Sequence, residues 1–287
     1  MGLRFKTLVL LLGVAIQSYG FFPPLGQIVK EVFGERRGPI GVEAHFKHRV
    51  MVQSNEVVEI DERVIRDSSG IYFLWRIPAL QAQPIAAIHE KQAYWISKER
   101  SFPTRSTVLW KYFTAESDDS IRDALLVERF IRRDHFYQYK PGFTPQGDPS
   151  TWNVKENYFR HDDIFLFRLP QGVSIAVNGY QEGNTARSVF FDQNLKGMTR
   201  LEWKDGDTVA AWNFEGFMKS VWEKAFIPKR ANLEINRTVL VTSETVSLRA
   251  LKDRTLFEAK SNWKAASKNI TISSNAEAAL KLLVSYR

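Results

Sequence analysis

The chain has 287 residues, 44% of them hydrophobic and 25% charged, enough apolar material for a core and unlike a disordered polymer. It contains no cysteine, which excludes disulfides, thiolate catalysis, cysteine-ligated zinc and the lipidated cysteine of a bacterial lipoprotein. The formal charge of +8 is spread as Lys and Arg interspersed with Asp and Glu, the pattern of a solvated surface and not of a nucleic-acid site.

Residues 1–20 join a basic start (Arg4, Lys6), an apolar run from Leu8 to Ile16 and the small-residue ending Ser18-Tyr19-Gly20. This layout predicts a secretory leader cut after Gly20, because the run is shorter than the ~20 residues a membrane-crossing helix needs. No later stretch is long and apolar enough for such a helix, so the mature chain is expected in the periplasm or secreted, with at most peripheral membrane contact. A transmembrane β-barrel is the alternative, since its strands also alternate.

Beyond the leader, Ile28, Val29, Val32 and Phe33 share one face of a short helix that Gly34 ends. Val42, Ala44, Phe46, His48, Val50 and Val52 then alternate with Glu43, His45, Lys47 and Arg49, a half-buried strand. Val58, Ile60 and Val64 opposite Glu59, Asp61 and Arg63 predict a second, and Ile71, Phe73, Trp75 and Ile77 a third after the turn at 67–70. Residues 87–97 are expected as a fourth strand. A helical insertion over 104–133 follows, as helices at 104–114 and 118–133, the latter opened by Asp118 and Asp119 and closed by Arg132 and Arg133. The Pro- and Gly-rich segment 139–149 predicts a loop.

The second half predicts strands at 164–169 (covered on both faces), 173–180, 187–192, 198–203 and 208–214, a short helix at 215–224, and further strand over 237–252. A last helix opens at Ser274 with Glu277 three residues on, the spacing of a capping box, and is expected to bury Ala278, Leu282 and Val284. The fold class is therefore mainly β (α+β): a curved antiparallel sheet or incomplete β-barrel with a few helices packed on or inside it. Residues 21–287 are expected to form a single domain, since no linker composition divides them.

Candidate chemistry is sparse. His161-Asp162-Asp163 sets an imidazole beside two carboxylates, but neighbours on a strand point to opposite faces, so a metal or acid–base site needs a turn there. His48, on the apolar stripe, reads as a hydrogen-bonded core histidine. The segments Gly172–Ala176 and Ser261–Lys264 match only fragments of hydrolase motifs. No catalytic residue, metal site or cofactor is assigned. Aromatic and basic residues interleave from Arg132 to Phe143, where Phe136, Tyr137, Tyr139 and Phe143 suit stacking on a ligand or wedging into headgroups. With Trp75 and Trp212 on the apolar stripes, these are the candidate ligand-binding residues.

The succession Trp212-Asn213-Phe214-Glu215-Gly216-Phe217, then Ala225-Phe226-Ile227-Pro228, then a β segment from Leu233, resembles the later half of the outer-membrane lipoprotein carrier (LolA-like) superfamily. That resemblance implies an incomplete barrel around helices whose concave apolar side receives acyl chains. The chain departs from the compact carriers by its length, the insertion at 104–133 and the loop at 139–149, and no functional residue is carried over. The expected function is non-catalytic binding or carriage of a lipid, lipoprotein or other amphiphile in the cell envelope. An envelope scaffold or interaction protein is the alternative, and a hydrolase built on His161, Asp162 and Asp163 the third.

Overall fold

A computed structural model describes residues 25–33, 41–52, 56–67, 70–90, 92–97, 99–115, 117–136, 163–170, 172–194, 197–221, 226–251 and 271–287. Six strands come first: β1 (Val42–Met51), β2 (Val57–Asp67), β3 (Gly70–Arg76), β4 (Ile85–Glu90), β5 (Ala93–Trp95) and β6 (Ser101–Pro103). Seven more follow: β7 (Ile164–Leu169), β8 (Gly172–Glu182), β9 (Thr185–Asp192), β10 (Met198–Asp205), β11 (Thr208–Lys219), β12 (Phe226–Ile235) and β13 (Thr238–Ala250). The helices are α1 (Leu25–Phe33), α2 (Val108–Thr114), α3 (Asp118–Val127) and α4 (Ser274–Ser285), with a 3-10 turn at Arg133–Phe136.

All thirteen strands belong to one curved, unclosed antiparallel sheet, ordered β6-β5-β4-β3-β2-β1-β13-β12-β11-β10-β9-β8-β7. Each half is an up-and-down meander of neighbouring hairpins. A single long-range pairing joins them: β1 lies against β13, with Val42 opposite Ala250 and His48 opposite Ser243. Every other ladder closes a short loop, so this seam is where the chain meets its large loop-closure cost.

Period-two patterning gives the sheet two unlike faces. Phe46, Ile60, Phe73, Trp75, Leu201, Trp203, Trp212 and Leu233 point to the concave side and are fully or almost fully buried. All four helices add their apolar faces to the same core, for instance through Phe33 against Tyr112 and Phe191 and Phe113 against Phe46. Each such side chain contributes about 1.5–3 kcal/mol by leaving water. The convex side carries cross-strand polar pairs instead: Arg49 with Glu59, His45 with Asp61, Arg200 with Glu234, and Glu43 with both Arg63 and Arg249. Where both members are exposed, as in Arg49 with Glu59, such a pair contributes about 1 kcal/mol or less, whereas Glu43 is itself buried. The larger consequence of these pairs is to keep this face wet, where a membrane barrel needs an apolar outer band.

The structure corrects several local expectations. Residues 87–97 form a hairpin, β4 and β5, and not one strand. The first helix of the insertion begins only at Val108, after β6. The second ends at Val127, where Arg129 enters the left-handed region (φ 64°) and bonds from Arg129 N–H to Leu126 O and from Phe130 N–H to Leu125 O close the helix. Residues 215–219 continue β11 as strand, because pairing with β12 overrides the helical spacing. The strand β7 lies at the sheet edge with Leu166 53% and Phe167 45% exposed, so it is not covered on both faces. In α4 the cap is Ser273, whose Oγ accepts from Ala276 N–H, while Glu277 reaches Arg100 and Lys281. The buried stripe accordingly runs through Ala276, Ala279, Leu280, Leu283 and Val284, leaving Ala278 exposed and Leu282 half-buried.

One contact fixes how the insertion meets the sheet. Tyr180 N–H donates to Arg129 O at 2.9 Å, and a Cβ on Gly179 would lie 2.2 Å from that same oxygen. Glycine is therefore required at 179 so that β8 and the turn after α3 can touch. Gly179→Ala should lower stability by about 1–3 kcal/mol in urea unfolding, the range for overpacking a tight contact.

Candidate functional site

Two clusters of polar side chains stand out, and only one is open to solvent. The closed one centres on Glu62, whose position on β2 has the inward parity of Val58, Ile60 and Val64. Its Oε2 accepts from His48 Nε2 at 2.9 Å and its Oε1 from Trp75 Nε1 at 2.7 Å, while the Arg287 guanidinium pairs with the same carboxylate and stands 5.0 Å from the centre of the Phe46 ring. His48 Nδ1 lies 2.7 Å from Ser243 Oγ. Because a carboxylate only accepts, Nε2 carries the imidazole proton and Nδ1 accepts from the serine hydroxyl. Burial alone would raise the Glu62 pKa, but Arg287, His48 and Trp75 together outweigh it and hold the carboxyl down to about 2. Burial also pushes the His48 pKa below its ordinary value, against the pull of Glu62. Every member is sealed in the core, so the cluster fastens structure and meets no substrate.

The open cluster lies where the turn after α3 meets β8. A groove of about 650 Å³ there has apolar walls of Leu126, Val127 and Ile131, and a rim of Arg129, Arg132 and Arg133 beside Tyr180, with Asp123 as its one carboxylate. Val127 is 72% exposed, an unusual position for a branched apolar residue beside three arginines. The Arg129 guanidinium sits 4.7 Å from the centre of the Tyr180 ring, and Tyr180 O–H donates to Glu182. Arg132 is fixed by Asp134 (3.0 Å) and Asp163 (2.6 Å).

Val127, Arg129 and Tyr180 also border a second chamber of about 400 Å³, which extends past Glu128 to Gln92, Arg105, Thr185 and Arg187. Arg105 and Arg187 share Asp205, at 3.1 and 2.9 Å. Glu128 Oε1 accepts from Thr107 N–H (2.6 Å) and Oγ1–H (2.7 Å), and burial pushes this carboxyl up despite those bonds.

The residues singled out from sequence are scattered. Trp75 and Trp212 are fully buried, donating to Glu62 and to Tyr286 O, and neither reaches the groove. Phe136 is half-buried against the core near α1, and Tyr137, Tyr139 and Phe143 lie outside the described residues. Of the histidine–carboxylate cluster, His161 and Asp162 also lie outside them. Asp163 is held by Arg132 and lies 3.8 Å from His135. Among the described residues no group of three His, Asp or Glu could hold a metal ion. Sequence reasoning missed Arg129 and Tyr180, since neither belongs to a motif. It also missed Glu62, which was detectable as a carboxylate at an inward position of a strand.

No family model matches the chain, and no curated protein does. Among solved structures it is similar to a domain named for outer-membrane lipoprotein sorting from Vibrio parahaemolyticus (9% identity, 84% of this chain and 97% of that one, TM-score 0.42). It is similar also to a LolA superfamily protein from Nitrosomonas europaea (10% identity, 81% and 97%, TM-score 0.43) and to a DUF1329 family protein from Desulfovibrio piger (9% identity, 81% and 96%, TM-score 0.43). The second of these names is the superfamily that the sequence pattern resembles. At such identities and scores the likenesses decide neither ligand nor activity.

Arg287→Met leaves Glu62 charged and buried without its partner, and should cost about 3–5 kcal/mol in urea unfolding, whereas the double change with Glu62→Leu should recover much of that loss. The acid dependence has a definite sign. With Glu62 depressed from 4.5 to about 2, its contribution is complete above pH 4.5 and disappears as pH falls toward 2. His48, kept neutral in the fold, adds an earlier decline as pH drops below 6.5. Unfolding midpoints measured across this range should show both steps, and Glu62→Gln should remove the lower one.

Proposed function

We propose that this chain is a non-catalytic, extracytoplasmic protein that binds or carries a lipid, a lipoprotein acyl chain or a similar amphiphile. The observation carrying this reading is the groove between α3 and β8, which sets the exposed Val127 and the half-buried Leu126 against a largely cationic rim within one cleft of ligand size. An acyl chain lying there would gain ~0.8 kcal/mol for each CH₂ removed from water, and the arginines would orient an acidic end group. The leader-like pattern of residues 1–20 supports export, and none of the described helices is long and apolar enough to cross a membrane.

The concave face of the sheet is filled by Trp75, Trp203, Trp212 and the helices among the described residues, so the ligand is assigned to the groove and not to a hollow barrel. The same filling favours a second reading, an envelope interaction protein whose groove grips a partner polypeptide. Native mass spectrometry and titration with a fluorescent fatty acid separate them. One saturable site is expected, with at least tenfold weaker binding in Val127→Asp; no uptake, together with a protein partner retained from envelope extracts after delipidation, favours the second reading.

A further inference from the structure

Arg129 is an uncommon residue for its place. A helix that closes through a left-handed residue normally has Gly or Asn there, because an L side chain with a Cβ is strained in that region. Arginine is kept at φ 64°, its carbonyl is spent on β8, and its guanidinium rests on Tyr180 with no carboxylate partner among the described residues. Backbone strain retained in this way accompanies a side chain with a task.

The task follows from position. Arg129 and Tyr180 form the partition between the apolar groove and the second chamber, and both cavities are bordered by them. Behind the partition Arg105, Arg129 and Arg187 line the chamber together with one carboxyl, Glu128, whose Oε1 is already taken by Thr107. Glu128 Oε2 is buried without a hydrogen-bond partner among the described residues. Gln92 and Thr185 add neutral donors. Arg105 and Arg187 are each partly offset by Asp205, which leaves Arg129 as the cation least committed to the protein.

We infer that this chamber is an oxyanion subsite that takes a phosphate group, with Arg129 as its principal contact and the adjoining groove holding whatever apolar chain the phosphate bears. The inference rests on the reading of the groove above and deepens it by naming the end group. Guanidinium forks match the oxygens of phosphate, and a chamber of about 400 Å³ suits a phosphate that carries further atoms better than the bare ion.

Glycine and asparagine both accept the left-handed conformation, so Arg129→Gly and Arg129→Asn remove the cation while keeping the turn. A thermal melt close to that of the parent confirms that the fold is intact. Titration calorimetry of the full chain with decyl phosphate and with decanol should show the phosphate bound at least tenfold more tightly. That preference should fall below threefold in both variants and weaken with added salt, while decanol binding stays unchanged. Equal binding of the two compounds by the parent, or an undiminished preference in the variants, overturns the phosphate subsite alone. Binding of neither compound overturns the groove reading along with it. Competition with inorganic phosphate identifies the source: displacement of decyl phosphate at millimolar concentration supports the subsite with the free ion as ligand, and resistance supports it with a lipid headgroup as ligand.

Discussion

The structure depends on a single buried carboxylate, Glu62, and on the company it keeps. Its partners come from β1 (His48), β3 (Trp75) and the second residue after α4 (Arg287), and through His48 it reaches Ser243 on β13. The network therefore bridges the β1–β13 seam, the one long-range pairing of the sheet, and ties the last helix to it. An isolated charge in that position would cost several kcal/mol, and pairing returns most of that without a large surplus. What the network contributes is specificity: it joins five side chains from β1, β2, β3, β13 and the C-terminal residue, so a shift of register at the seam would break it.

Around that fastening, the sheet sorts its side chains by parity into a dry concave face and an ion-paired convex face. Because the concave side is filled by helices and tryptophans, there is no free surface left inside for a ligand among the described residues. Open space appears instead where the insertion after β6 returns across β8. The contact is made by a strand irregularity between Asn178 and Gln181, by the missing Cβ of Gly179, and by the left-handed turn at Arg129. The same three features create a groove with an apolar wall on α3 and cations on the turn.

Much of the fold was legible because period-two stripes are strong signals, and β1, β2, β3 and β8 to β11 fall where alternation puts them. The failures have physical causes. Residues 215–219 have a helical spacing that pairing with the ten-residue β12 overrides, and β7 is apolar although it sits at an edge, so composition alone suggested a covered strand. The last helix does begin at Ser274, but its cap is Ser273, so the capping-box reading put the cap one residue late. The candidate site was hardly legible. Arg129 follows a helix that lacks the usual glycine stop, and Tyr180 lies in a segment rich in turn formers, so local rules pointed away from both. Their proximity is a property of the α3–β8 contact, which no sequence spacing encodes. Trp75 and Trp212 stood out by size, and size fits them for the core.

The proposed amphiphile lies in the α3–β8 groove, outside a core that the Glu62 network keeps shut. Photo-crosslinking with a diazirine-bearing alkyl phosphate, followed by peptide mapping, reads that location directly. Labelling concentrated within residues 123–133 and at Tyr180 is the predicted result. Labelling of Trp75, Trp212 or Phe46 would place the ligand inside the sheet and contradict the account.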